Sequence, residues 1–136
     1  MRESFFYLMI ILLFFIFFIP RSFSKDITVD ELKRLLEERK NRKEKFILID
    51  VRTEEEHKEG HIPGTDLNIP HDKIEDINNI VRDKQTKLIL YCRSGRRSEI
   101  AKETLKKLGY KNVINAGGIK DWKYEIQKGK SNNFLR

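Results

Sequence analysis

Two short, unbroken apolar runs, Phe46-Ile47-Leu48-Ile49 and Leu88-Ile89-Leu90-Tyr91, narrow most sharply what this chain can fold into. A strand with one wet face alternates apolar and polar residues, whereas a run with no polar member is buried on both faces, as in a parallel sheet covered by helices. Both runs are too short for helices, and they lead into Asp50 and Cys92, residues with chemistry to offer. Helical patterns lie around them. Thr28 followed by Glu31 forms a capping box that opens an amphipathic helix through Leu32, Leu35 and Leu36 to about Arg39. A polar connection covers Lys40 to Lys45, a short helix is predicted near Glu54 to Lys58, and a loop passes through Gly60, Pro63 and Gly64. A further helix runs from about Ile74 to Val81. Ser98 to Leu108 places Ile100, Ala101, Leu105 and Leu108 on one helical face before Gly109 stops the helix. Asn112 to Asn115 reads as a third strand, Gly117-Gly118 as a turn, and Ile119 to Ile126 as a last helix with Trp122 in the core. Strands alternating with helices predict an α/β single domain with a mostly parallel central sheet flanked by helices on both faces. Its expected limits are residues 25–128, with a flexible tail over 129–136.

The first 24 residues follow a different pattern. Phe5 to Ile19 is a continuous stretch of 15 apolar or aromatic residues behind Arg2, ending at Pro20. A membrane-spanning helix needs about 20 such residues. The stretch therefore reads as a signal peptide, with Ser22 and Ser24 as the small residues of a cleavage site and Lys25 as the first mature residue. Retention as an N-terminal anchor is the alternative, favoured by Glu3, which weakens the positive flank. No cysteine follows the run, so lipid attachment there is excluded. Localisation is expected to be periplasmic or secreted, with membrane contact only through this segment if it stays uncleaved.

Without residues 1–24, the chain carries 26 basic and 20 acidic side chains. The two signs are interspersed and no aromatic-rich basic stripe occurs, which argues for a solvated surface and against nucleic acid.

Cys92 is the single cysteine, so the exported chain has no internal disulfide to build. It is either a small buried hydrophobe, half of an intermolecular bridge, or a working thiol. Its neighbours favour the last. Cys92 stands one residue past an apolar strand, where open parallel sheets bind ligands, and Arg93-Ser94-Gly95-Arg96-Arg97-Ser98 leads from it into a helix. Backbone N–H groups of such a turn, the positive end of the helix dipole and three arginines all favour an anion at the centre. They should hold the thiol below its free pKa of about 8.5.

At these residues the sequence resembles the rhodanese family. DVRTEEEHKEGHIPGTDLNIP, residues 50–70, is similar to that family's DVR, E-[YHF]-x-x-G-H-I-x-G-A and N-I-P pattern, with Thr65 where alanine is usual. YCRSGRRS at 91–98, then L-x-x-x-G-Y-x-N-V and GGIKDW at 117–122, extend the likeness over most of residues 26–126. The resemblance implies a thiosulfate sulfurtransferase in which Cys92 carries sulfur as a persulfide. It makes Arg93, Ser94, Gly95, Arg96 and Arg97 the substrate-binding loop, and Asp50 and Arg52 the scaffold beside it. The mechanism it implies needs no metal or organic cofactor, and its partners are a small anionic sulfur donor and a cyanide or thiol acceptor; a monomer is the expected state. His57 and His61 are read as structural, since two histidines four apart without a third ligand make a weak zinc site.

Two rivals stand beside this reading. A cysteine-dependent phosphatase uses the same thiolate, arginine and amide logic, but with arginine at the position held here by Ser98; Arg97 closes a shorter loop. A partner-dependent sulfur carrier or binding module would keep Cys92 without turning over free thiosulfate.

Overall fold

A computed structural model describes residues 2–16 and 25–130. The predicted cleavage site at Ser22 and Ser24 and the tail beyond residue 130 lie outside the described residues. The first helix, α1, spans Arg2–Ile16. Its residues from Phe5 to Ile11 are exposed. Among the described residues no helix is long and apolar enough to cross a membrane.

The domain holds four strands, β1 (Ile47–Asp50), β2 (Leu67–Asn68), β3 (Leu88–Cys92) and β4 (Val113–Gly118). They form one sheet in the order β2-β1-β3-β4. Every pairing is parallel. Asp50 stands opposite Tyr91, so the carboxyl ends of β1 and β3 open side by side. α2 (Val29–Lys40) precedes β1, and α3 (Glu54–Glu59), a 3₁₀ segment (His71–Asn79) and α4 (Arg96–Lys107) connect the successive strands.

The unbroken apolar runs are explained by two cores, one on each face of the sheet. Leu48, Ile89 and Tyr91 point into the core that contains Val29, Leu32 and Leu35 of α2, with Trp122. Their alternate neighbours Ile49, Leu88 and Leu90 point into the core with Ala101 and Leu105 of α4 and Ile74 and Ile77 of the 3₁₀ segment. A strand sandwiched in this way has no wet face on which a polar residue would be cheap. Burying each aliphatic side chain contributes about 1.5–3 kcal/mol.

α2 begins as expected, with Thr28 as N-cap and the Thr28–Glu31 capping box formed in both directions. Just before it, Asp26 and Ile27 donate their backbone N–H groups to the Asn115 carbonyl, at 2.8 and 3.3 Å. The Asp26 carboxylate in turn accepts the Asn115 N–H at 2.8 Å. This short segment therefore covers the β4 edge at Asn115.

Four expectations are corrected. Ile119–Ile126 is not a helix: only Ile119–Asp121 forms a 3₁₀ turn. The chain then runs on to pair Gln127 with His61 in an antiparallel bridge. Gly117-Gly118 is the end of β4 rather than a turn. The helix expected over 74–81 is an earlier 3₁₀ segment. Ile100 is exposed, because the inward face of α4 passes through Ala101 and Leu105 and leaves it outside.

Candidate active-site loop

The site grows out of the carboxyl end of β3. Cys92 is its last residue, and the chain turns through Arg93, Ser94 and Gly95 into α4. Gly95 is the N-cap and adopts φ 102°, the left-handed region that a glycine enters at little cost. The turn brings the Gly95 N–H to 3.0 Å from the Cys92 Sγ. Ser98, on the first turn of α4, sets its Oγ 3.5 Å from the same sulfur. Cys92 is only 1% exposed. Such burial pushes the thiol pKa up, but the Ser98 hydroxyl and the backbone N–H groups of Ser98, Gly95 and Ser94 outweigh it and hold the thiol below its usual value. The leading influences are thus amides and a hydroxyl, not the arginines.

The loop lies on β4 with no room to spare. Cys92 stands opposite Gly118, across an irregularity in the β3–β4 pairing. A Cβ on Gly118 would fall 1.9 Å from the Arg93 carbonyl oxygen. Asn115 ties the parts together. Its side-chain amide donates to the Gly95 carbonyl at 3.1 Å. Its Oδ1 accepts the Ser98 hydroxyl at 2.7 Å and the Gly117 N–H at 2.9 Å.

The structure divides the loop arginines. Arg93 and Arg96 are exposed, as is Ser94. Arg97 is half-buried and donates from both terminal nitrogens to the Glu56 carboxylate, at 2.7 and 2.9 Å. Glu56 is held down to a pKa of about 2, first by Arg97 against the opposing effect of burial, with Thr53 adding hydrogen bonds.

Asp50 and Arg52 form a buried pair on the neighbouring strand end. Arg52 donates from Nε and Nη2 to the two Asp50 oxygens, at 3.0 and 2.8 Å, and from Nη2 to the Gly60 carbonyl at 2.7 Å. Asp50 also contacts His57 Nδ1 at 2.9 Å and accepts the Tyr91 hydroxyl at 3.2 Å. Burial alone would push the Asp50 carboxyl up; the bonds from His57 and Arg52 overcome it and hold the group below its usual range. His61 stacks on His57 with ring centroids 3.8 Å apart. Thr65, at the position where alanine is usual in the pattern the sequence resembles, donates its hydroxyl to the Ile62 carbonyl at 2.6 Å and meets the Tyr91 hydroxyl at 2.9 Å. Among the described residues no group of three or more histidine, cysteine, aspartate or glutamate side chains is placed to hold a metal ion.

Cys92 and its loop thus come together as the sequence predicts, while Asp50 and Arg52 form an adjoining scaffold that contacts neither the sulfur nor the loop through any hydrogen bond described above. Sequence reasoning missed Ser98, Asn115 and Glu56. Ser98 carried a usable signal, since a residue on the first turn of the helix after a strand-end cysteine faces back toward it. Asn115 and Glu56 are 23 and 36 residues from Cys92 and reach the loop only through tertiary packing.

Comparison with known proteins agrees with this geometry. The family model described as Rhodanese-like domain matches residues 28–125. The thiosulfate sulfurtransferase PspE of Escherichia coli K12 is 43% identical over 74 residues, covering 54% of this chain and 70% of that protein. A solved structure described as a rhodanese with anions from E. coli is 42% identical with a TM-score of 0.56, covering 61% of this chain and 98% of that one. A rhodanese-like domain protein from Staphylococcus aureus is 34% identical with a TM-score of 0.66, covering 79% of this chain and all of the other. Some curated relatives are longer: the chain spans 42% of one from Bacillus subtilis to which it is 41% identical over 80 residues. The match over residues 28–125, the parallel four-stranded sheet and the cysteine loop at its carboxyl edge establish that this chain belongs to the rhodanese-like domain family.

Proposed function

We propose that this chain is a thiosulfate sulfurtransferase that carries sulfane sulfur on Cys92. The observation that carries this reading is the Cys92 sulfur at a strand end, facing the Gly95 N–H and the Ser98 hydroxyl in a loop whose amides favour the thiolate. The name of the E. coli relative, a thiosulfate sulfurtransferase, points the same way.

The reaction is a double displacement. The Cys92 thiolate attacks the outer sulfur of thiosulfate; the sulfur–sulfur bond of the donor breaks and its electron pair leaves with sulfite. Cys92 then bears a persulfide anion. Cyanide or a thiolate attacks the terminal sulfur, leaves as thiocyanate or a persulfide, and returns the Cys92 thiolate. Loop N–H groups stabilise the charge on sulfur at each stage, as preorganised donors do in a site that excludes water. The exposed Arg93 and Arg96 attract the anionic donor, and Arg97 adds a guanidinium already fixed in place. Asp50 and Arg52 brace the adjoining strand end.

The same proposal places the protein outside the cytoplasm, with residues 1–24 removed as a signal peptide and residues 25–128 acting as a monomeric domain. The exposed apolar surface of α1, which buries nothing from Phe5 to Ile11, supports that reading. N-terminal sequencing of protein recovered from the host's extracytoplasmic fraction is expected to begin at Lys25.

Intact mass spectrometry before and after thiosulfate tests the chemistry. The expected result is a gain of one sulfur mass that cyanide removes and that Cys92→Ser abolishes. Hydrolysis of a phosphate ester without sulfur gain would move the chain to the phosphatase reading. No reaction in either assay would leave a carrier that needs its partner.

A further inference from the structure

Glu56 stands outside the loop, yet it holds the one loop arginine that is not free in solvent. Its carboxylate meets Arg97 at 2.7 and 2.9 Å, a bidentate geometry. It is itself fixed from its own helix. Glu56 is the third residue of α3, and its Oε1 accepts the N–H and hydroxyl of Thr53 at 3.4 and 3.3 Å, completing a capping box. The pair is therefore anchored at one end by α3 and at the other by the first turn of α4. Two consequences follow from the count of protons. A guanidinium has five N–H groups, and Glu56 engages one on each terminal nitrogen. Three remain outside the pair, and Arg97 and Cys92 are close enough to act on each other electrostatically. At the same time the carboxylate cancels the guanidinium's net charge within hydrogen-bond distance, so a charge near the Cys92 sulfur sees a dipole where the sequence promises a cation.

We propose that Glu56 is a specificity-determining residue that acts through Arg97: it keeps that guanidinium oriented but neutralised, and so tempers the preference of the loop for highly charged sulfur donors. This inference rests on the sulfurtransferase reading of Cys92 and deepens it. With Glu56 in place, net positive charge at the mouth comes from the exposed Arg93 and Arg96, which favour anions at long range but screen readily. Donors or acceptors with a single charge then compete with dianionic thiosulfate on nearly equal terms.

The test compares the wild-type protein with Glu56→Gln and Glu56→Asp. Glutamine keeps an oxygen for the α3 capping box, which accepts glutamine as well as glutamate, while removing the charge. Aspartate keeps the charge but is too short to hold both nitrogens. Steady-state assays use thiosulfate, a dianion, and methanethiosulfonate, a monoanion. For Glu56→Gln, the KM for thiosulfate is expected to fall roughly three- to tenfold, with kcat changed less and the monoanion affected less, as one added positive charge at partly screened range implies. The pH profile of Cys92 alkylation by iodoacetamide, which is neutral and needs no sulfur-transfer activity, should move to lower pH. Glu56→Asp should move both readouts in the same direction, since its freed guanidinium is no longer cancelled at contact distance. An unchanged alkylation profile, or a thiosulfate KM that stays equal or rises in both variants, would overturn the proposal and leave Glu56 as a helix cap. If the wild-type protein itself gains no sulfur from thiosulfate, the underlying function fails instead, and the alkylation profiles still decide whether Glu56 screens Arg97.

Discussion

At the scale of single residues, the environment of Cys92 is set by groups with little freedom to do anything else. The Ser98 hydroxyl has one proton and three acceptors within reach: the Cys92 sulfur at 3.5 Å, the Gly95 carbonyl at 3.0 Å and Asn115 Oδ1 at 2.7 Å. It braces the loop while the thiol is protonated and turns toward the sulfur when a thiolate forms. Ser98→Ala should therefore shift the alkylation profile of Cys92 to higher pH and slow persulfide formation at neutral pH roughly several-fold. Gly118 is a sharper constraint. Its φ of −144° suits any residue, so the cost of a side chain there comes wholly from the contact with the Arg93 carbonyl. Gly118→Ala is expected to lose roughly 3 kcal/mol of stability and most sulfur loading, because the loop has to move off β4. Gly109→Ala is the control. Its φ of 95° carries a conformational penalty, but nothing lies within 4 Å of the added methyl. A loss of about 1 kcal/mol with normal sulfur loading is expected, both read from urea unfolding and mass spectrometry.

At the scale of elements, local rules serve well where the chain closes its own hydrogen bonds. The capping box at Thr28 and Glu31 is legible because both partners lie within one turn. Thr28→Ala should lower the urea midpoint by an amount equivalent to about 1 kcal/mol without touching sulfur transfer. The runs Phe46–Ile49 and Leu88–Tyr91 are legible for a different reason: being buried on both faces removes any polar position. The misread segments share one cause. Ile119, Trp122 and Ile126 repeat at helical spacing, yet the Trp122 indole N–H donates to the Glu125 carbonyl at 2.9 Å and Gln127 pairs with His61, which draws the chain out of helix. β2 has two residues, too few to show any period, and its register is set by β1. Gly117-Gly118 looks like a turn in sequence because glycine marks both turns and close approaches. Here the Arg93 carbonyl requires the absence of a side chain. The cysteine loop was legible because all its parts are contiguous; its supports Asn115 and Glu56 were not.

At the scale of the whole molecule, two lowered carboxyls tie the site to global stability. A carboxyl that binds its proton more weakly when folded contributes fully above its unfolded pKa, and that contribution drains away as pH falls through the folded value. For Glu56 the window lies between 4.5 and about 2. Asp50 is lowered in the same sense. The thermal midpoint should therefore fall between pH 4.5 and 2.5, and Glu56→Gln should flatten part of that fall, as followed by circular dichroism. A final consequence belongs to Asp26 and Ile27, whose N–H groups occupy the Asn115 carbonyl on the outer side of β4. An uncovered strand at the margin of a sheet is a template onto which another chain adds. Asp26 and Ile27 supply no group to the Cys92 sulfur, but their hydrogen bonds to Asn115 close that part of the β4 edge to an added strand. Removing residues 25–27 is therefore expected to raise the tendency to β-aggregation, as read by light scattering, although every residue of the cysteine loop stays in the chain.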